Sequence, residues 1–259
     1  MAANAAFVPH LSEKAMTSQD DDIPASYASP PCFMHELDQS YVGLASESGA
    51  QQQRDVVRWR KAERERLIAE RLTIDSEMRG RHAGQIVKGL DALIENPTGL
   101  IVSAYWPFRG EPDLRPWIDS ILARGGQFAL PVVVERNQPL IFRIWTPGAP
   151  LERGVWNIPV PVDGMEVTPD VVVAPVVGFD PACYRLGYGD GFFDRTLDSL
   201  SGKVRAVGVG YARSAIPTIY PQPHDIPMEA IVTEREIVHA IVHASSGVIW
   251  RPPTKTVEK

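Results

Sequence analysis

The chain has 259 residues, 44% of them hydrophobic, with a formal net charge of −6 and an isoelectric point near 5.6. That is enough apolar material for one substantial core. The mild acidity excludes a generic nucleic-acid binder, which needs a clustered basic face, but leaves room for a local patch holding one small anion. The two cysteines, Cys32 and Cys183, exclude a disulfide scaffold or a four-ligand cysteine zinc site and fit a reducing compartment. No apolar run reaches bilayer length, and the N-terminus lacks the basic start and long apolar stretch of a signal peptide. The expectation is a cytoplasmic protein, monomeric, without nucleic-acid or membrane partners.

Residues 1–53 read as a disordered or loosely docked arm. Asp20, Asp21 and Asp22 form an acidic cluster, Pro30 and Pro31 follow, and 46–53 is polar or small. Such a composition buries too little surface to offset ordering entropy. Only the segment from Pro31 to Leu37 is apolar enough to dock.

From Asp55 to Leu72 the chain is rich in Arg, Glu, Ala and Leu, which predicts a helix. Asp75 or Ser76 caps a second, whose Ile86, Val87, Leu90, Leu93 and Ile94 share one face, and Asn96-Pro97 ends it. Residues 100–105 form a predicted strand. A helix over 112–124 follows, with Leu114, Ile118, Ile121 and Leu122 inward and Gly125-Gly126 as the stop. Strands are predicted at 128–134 and 140–145. Another at 171–177 is so uniformly apolar that both faces must be covered. A helix over 191–200, a strand over 204–211 and short strands at 230–233 and 236–242 complete the domain, with a polar tail from 246. Alternating strands and helices predict one layered α/β/α domain over 54–245 with a mostly parallel or mixed central sheet.

The run Arg185-Leu-Gly-Tyr-Gly-Asp-Gly-Phe-Phe-Asp-Arg195 carries the most chemistry. It follows the buried strand and opens a helix. Glycines at 187, 189 and 191 let backbone amides approach a ligand, and the helix start adds a positive dipole end, a combination suited to phosphate. Asp194, in the first turn, suits Mg²⁺. Read from its residues alone, the segment is equally a tight turn with a helix-start acid. Its spacing is neither a P-loop nor a Rossmann fingerprint.

This segment resembles the signature of the 5-formyltetrahydrofolate cyclo-ligase (5,10-methenyltetrahydrofolate synthetase) family, Arg-Leu-Gly-x-Gly-x-Gly-Tyr-Tyr-Asp. Four further stretches resemble family motifs in the same order: Arg60-Lys-Ala-Glu-Arg64, Tyr105-Trp-Pro-Phe-Arg-Gly-Glu111-Pro-Asp, Trp156-Asn-Ile-Pro-Val-Pro, and His224-Asp225 with Glu229-Ala-Ile-Val-Thr-Glu. The likeness runs from Arg60 to Ile237. It implies a cyclo-ligase-like domain resembling the NagB/RpiA/CoA-transferase-like fold. It also implies ATP- and Mg²⁺-dependent closure of 5-formyltetrahydrofolate to 5,10-methenyltetrahydrofolate, with no covalent or general-base residue assigned.

On that resemblance Arg60, Lys61, Arg64, Arg185, Gly187, Tyr188, Gly189, Asp190, Gly191, Phe192 and Phe193 would hold ATP. Trp106, Glu111, Trp156, Tyr188 and Phe192 would hold the folate, and Asp194 and Asp225 the metal. Glu111 suits the two donors of a pterin edge, and the tryptophans suit flat rings. Read without the resemblance, the arginines are a charged helix face and the tryptophans plain core. The sequence departs from the pattern at Asp190, where many members carry lysine or glycine, and at Phe192-Phe193, which replace paired tyrosines. These departures keep two alternatives open: ATP-dependent activation of another amide or carboxylate, and a silent folate- or nucleotide-binding protein. His239 and His243, four apart in a predicted strand, read as structural. Cys183 has no evident histidine partner and is not expected to act as a nucleophile.

Overall fold

A computed structural model of the chain describes residues 45–200 and 204–240. Helix α1 (Ala45–Leu72) is followed by α2 (Ser76–Leu93), β1 (Ile101–Ser103), α3 (Arg115–Ala123), β2 (Gln127–Val132) and β3 (Ile141–Ile144). A ribbon of β4 (Leu151–Arg153) and β5 (Pro159–Pro161), then β6 (Glu166–Val167) and β7 (Val171–Pro175), come next. The hairpin β8 (Gly178–Phe179) and β9 (Arg185–Leu186) leads to α4 (Phe192–Ser199), β10 (Arg205–Val209), β11 (Ala230–Val232) and β12 (Ile237–His239).

The main sheet runs β12-β11-β10-β7-β1-β2-β3-β6. The five inner strands from β11 to β2 are parallel, and β12, β3 and β6 add antiparallel edges. This is the mixed sheet expected from the buried run at 171–177, and Val171 to Ala174 are all buried. Helices α2 and α3 cover one face through Ile86, Leu90, Trp117 and Ile121. Leu197 of α4 packs on the other with Phe142, Val172 and Met228. Asp75 caps α2, its side chain accepting from the Met78 amide at 2.8 Å.

Helix α1 begins ten residues before Asp55. Its first turns are polar, but Ala, Glu and Gln favour helix, and Gln51 donates to Asp55 at 3.0 Å one turn on. Residues 49, 50, 51 and 53 are exposed, so this part of the helix start is polar because it faces solvent. The arm's remainder with Cys32, and the chain from 241 with His243, lie outside the described residues.

From β1 the chain moves outward to β2, then returns to the other side of β1 to form β7. Ligand crevices in open α/β sheets form at such a switch point, outside the strands' carboxyl ends. The loop after β1 carries Tyr105 to Glu111, and the chain after β7 leads to the glycine turn. The fold thus sets these two motifs on either side of one crevice.

Candidate functional site

A cleft opens at this switch point. Its walls include Arg60, Arg64, Trp106, Glu111, Trp156, Arg185, the turn 187–191, Phe192, Phe193, Asp194 and Asp225. Five separated sequence segments converge there. Lys61 does not: it is exposed and takes no part in the lining, because one residue turns a helix by about 100°. The buried stripe of α1 consists of Val56, Arg60, Leu67 and Arg71, with Arg64 half-buried between them. The spacing of four and seven aims three arginines inward from one helix face.

The glycine turn is shaped by arginine. Gly189 has φ +110°, and a Cβ there would lie 3.4 Å from the guanidinium carbon of Arg64. Arg64 Nε donates to the Gly187 carbonyl at 2.7 Å. Burial lowers the Arg64 pKa, helped by the neighbouring Arg60 charge. Gly191, at φ +67°, starts α4 in the left-handed region, and a Cβ there would meet Arg195 Nη1 at 2.8 Å. A side chain at either position would be strained by the positive φ, and at Gly191 it would also displace the end of Arg195. Asp190 is exposed, and its carbonyl accepts from Arg195 Nη2 at 2.6 Å.

Arg60 is not a loose phosphate donor. Its Nη2 pairs with Asp225 Oδ2 at 2.5 Å, its Nη1 reaches Oδ1 at 3.2 Å, and Nε and Nη2 donate to the carbonyls of Ile219 and Tyr220 at 2.9 Å. Burial pushes Asp225 up, but the Arg60 bonds and the Gln222 amide outweigh it and hold the carboxyl below its ordinary range. Asp194 lies beside this loop, its Oδ1 accepting from the Ile226 amide at 3.3 Å and standing 3.0 Å from Arg185 Nη2. That contact is an ion pair whose angle falls short of a good hydrogen bond, since Nη2 has no aligned acceptor among the described residues. The Arg185 guanidinium covers the Phe193 ring at 5.3 Å, and burial lowers its pKa.

Across the crevice, Glu111 is 5% exposed. Its Oε2 accepts from the Phe108 amide at 2.8 Å and its Oε1 from the Tyr188 hydroxyl at 2.7 Å. Burial raises its pKa to about 7, against the pull of Arg71, Tyr188 and Phe108. Trp156 projects from the β4–β5 ribbon, 46% exposed, with φ 54° and ψ 24°. Its ring meets Phe192 edge-on at 5.8 Å. Trp106 lines the cleft on the side where it packs edge-on against Trp145 at 5.8 Å.

The residue that sequence reasoning missed is Arg71, which donates to the Tyr188 hydroxyl at 2.5 Å. The signal was present: Arg71 continues the stripe of Val56, Arg60, Arg64 and Leu67 by one more helical step. Cys183 is buried, and burial pushes its thiol up to about 11, an environment that leaves it protonated near neutrality. His239 is exposed on the edge strand β12. Among the described residues no cluster of three or more His, Cys, Asp or Glu side chains is arranged to hold a metal, and no helix is long and apolar enough to cross a membrane.

Fold and cleft together define an open α/β protein with its crevice between two strand-end loops, an arginine-lined glycine turn on one side and a buried carboxyl on the other. Residues 56–234 match the model of the 5-formyltetrahydrofolate cyclo-ligase family. The chain is 32% identical over 143 residues to the 5-formyltetrahydrofolate cyclo-ligase of Escherichia coli K12, covering 52% of this chain and 79% of that one. To the enzyme of the same name from Mycolicibacterium smegmatis it is 30% identical over 154 residues, covering 56% and 78%. The solution structure of Aquifex aeolicus 5,10-methenyltetrahydrofolate synthetase superposes with a TM-score of 0.61 at 27% identity, over 73% of this chain and 99% of that one. The Mycoplasma pneumoniae synthetase shares the fold, with a TM-score of 0.57 at 19% identity, over 68% and 98%. This chain belongs to the 5-formyltetrahydrofolate cyclo-ligase family.

Proposed function

We propose that the chain uses Mg-ATP to convert 5-formyltetrahydrofolate to 5,10-methenyltetrahydrofolate, releasing ADP and phosphate. The observation that carries this reading is the convergence of Arg64 and the glycine turn with Glu111 on one crevice. A formamide oxygen is a poor leaving group. Transfer of the γ-phosphoryl group to it gives an iminium phosphate and ADP. The N10 lone pair then attacks the former formyl carbon, N10 loses its proton, and the C–O bond breaks to release phosphate as the ring closes. The protein's task is positioning and charge neutralisation in a cleft that limits water.

Each side chain has a part in that task. The 187–191 turn and the start of α4 present amides to the polyphosphate, with Arg64 as the forked donor. Arg185 supports the turn from beneath, and Phe193 packs against it. Arg60 works through Asp225, which it orients. Glu111 accepts from the two donors of the pterin edge, while Trp106, Trp156 and Phe192 form flat walls. Tyr188 bridges the two halves, its backbone in the turn and its hydroxyl on Glu111.

Asp194 and Asp225 fit a magnesium ion. Mg²⁺ is commonly held by one or two carboxylates with substrate phosphates and water completing an octahedron, so the pair would need no third acid. Asp194 keeps Oδ2 without a hydrogen bond among the described residues, whereas Asp225 accepts from Arg60 through both oxygens and from the Gln222 amide through Oδ2, which leaves Oδ1 as the oxygen it could offer the ion. When bound, the ion would neutralise charge on the polyphosphate. The exposure of Asp190 keeps its carboxylate at the rim, so that departure from the family pattern is compatible with an ATP cradle.

Purified protein given Mg-ATP and 5-formyltetrahydrofolate should form the methenyl product, read by its absorbance, with one ADP per product. Nucleotide and folate binding without product contradicts this reading and favours a silent binder. ATP consumption that requires another amide or carboxylate favours the paralogue.

A further inference from the structure

Behind Glu111 lies a group that none of the roles above includes. Arg71 sits on the same stripe of α1 as Arg64, two turns on, and is 4% exposed. Its Nε donates to the Arg109 carbonyl at 2.9 Å, and its Nη2 to the Tyr188 hydroxyl oxygen at 2.5 Å. That hydroxyl in turn donates to Glu111 Oε1 at 2.7 Å. The guanidinium carbon lies 5.7 Å from the centre of the Tyr188 ring. Nη1 is buried without a hydrogen-bond partner among the described residues. The three side chains come from α1, from the loop after β1 and from the glycine turn, so the chain of bonds exists only in the folded crevice.

A guanidinium this deep is costly unless a charge answers it. The groups facing Glu111 are Arg71 from α1, Tyr105 and Phe108 from its own loop, Tyr188 from the glycine turn and Tyr211 after β10, whose hydroxyl donates to the Gly110 carbonyl at 3.1 Å. Arg71 is the cation in that set. The geometry points to Arg71 as a positioning residue that, through the Tyr188 hydroxyl, fixes the Glu111 carboxyl in direction for the folate ring and favours its charged form. This rests on the folate reading above for its consequence, though not for its geometry. A phenol that accepts from an arginine is polarised and becomes a stronger donor to the carboxylate. The link also ties the nucleotide side of the crevice to the folate side, because the same residue 188 supplies the backbone of the turn.

The sign of the effect follows. Burial raises Glu111, and Arg71 and Tyr188 oppose it. Removing either lets the carboxyl rise further. A protonated Glu111 presents a donor where the pterin edge also presents donors, so folate affinity falls near neutrality and recovers when alkaline pH ionises the group.

The test has two arms. Glu111 is titrated by ¹³C NMR in ligand-free protein, its resonance identified by its loss in Glu111→Gln, for the parent, Arg71→Met, Arg71→Lys and Tyr188→Phe. The midpoint should rise by about one pH unit in Arg71→Met and Tyr188→Phe, with Arg71→Lys between them and the parent. In the second arm, calorimetric affinity for 5-formyltetrahydrofolate should fall about fivefold near pH 7 and stay within about twofold of the parent at pH 9, the ratio following from the ionised fractions. Midpoints unchanged in both Arg71→Met and Tyr188→Phe overturn the inference, as does an equal loss at every pH, which a merely structural role would give. Tyr188→Phe keeps the ring and its packing and carries the test if Arg71→Met fails to fold. Shifted midpoints in a protein that binds no folate leave the hold of Arg71 on Glu111 standing and refute the folate reading instead.

Discussion

Replacing Glu111 by glutamine isolates the cost of ionising a buried carboxyl. The folded protein holds the Glu111 proton up to about pH 7, whereas the ordinary value is 4.5. Its folded value is raised, so the stability it contributes is full below the ordinary value and is lost as pH climbs through the folded one. Over the window from pH 5 to pH 8 the loss comes to about 2.5 kcal/mol by proton linkage. A glutamine cannot ionise and has no such loss. It does mismatch one of the two donors, Phe108 N–H or Tyr188 O–H, at about 1–3 kcal/mol, but that cost does not vary with pH and cancels in a double difference. Urea unfolding of parent and variant at both pH values gives that difference directly. The variant should gain about 2.5 kcal/mol on the parent between pH 5 and pH 8. A parent-to-variant difference that stays constant would show that Glu111 does not titrate in this window, and the account of its burial would fall with it. Turnover in the variant should be depressed most above about pH 7, where the parent carboxyl is ionised and offers the pterin edge two acceptors against the amide's one.

Three further outcomes follow from the same contacts. Arg60→Met breaks the buried pair with Asp225 and strands its charge, so thermal or urea unfolding should show a loss of about 3–5 kcal/mol; a loss near zero would mean that the pair is solvated. Asp194→Asn keeps an acceptor for the Ile226 amide but removes the charge, so ATP-dependent turnover should fall at least about a hundredfold with an unchanged far-ultraviolet spectrum, and parental turnover would remove Asp194 from the metal site. Arg64→Ala should raise the KM for ATP while Lys61→Ala leaves it alone; equal effects from the two would contradict their different placement on α1.

Much of the fold was legible because local pattern and burial agree. The apolar run at 171–177 could satisfy its composition only in the middle of a sheet, and it forms the central strand β7. The Asp75 cap and the face of Ile86, Leu90 and Ile94 likewise lie where the helical period puts them. The β4–β5 ribbon was not legible, because Leu151–Pro161 owes its shape to left-handed residues at Trp156 and Asn157 and to pairing across a proline-rich loop. The early start of α1 was hidden by polarity, since propensity without an apolar face resembles a tail.

The site was legible as separate motifs, through resemblance, but its internal wiring was not. A list of motifs places Arg60, Lys61 and Arg64 together as phosphate donors. The structure separates them: one is tied to Asp225, one is in solvent, and one lies under Gly189. Which charge meets which depends on contacts 120 to 165 residues apart, and no local period encodes these. Arg71 shows the limit most clearly, because its partner Tyr188 is 117 residues away.

With nucleotide and folate held in one crevice, the phosphoryl group passes directly to the formyl oxygen. Turnover of 5-formyltetrahydrofolate carrying ¹⁸O in the formyl group tests it most directly. Direct transfer puts the label in the released inorganic phosphate, one atom per product. Label lost to water, with unlabelled phosphate, would contradict it.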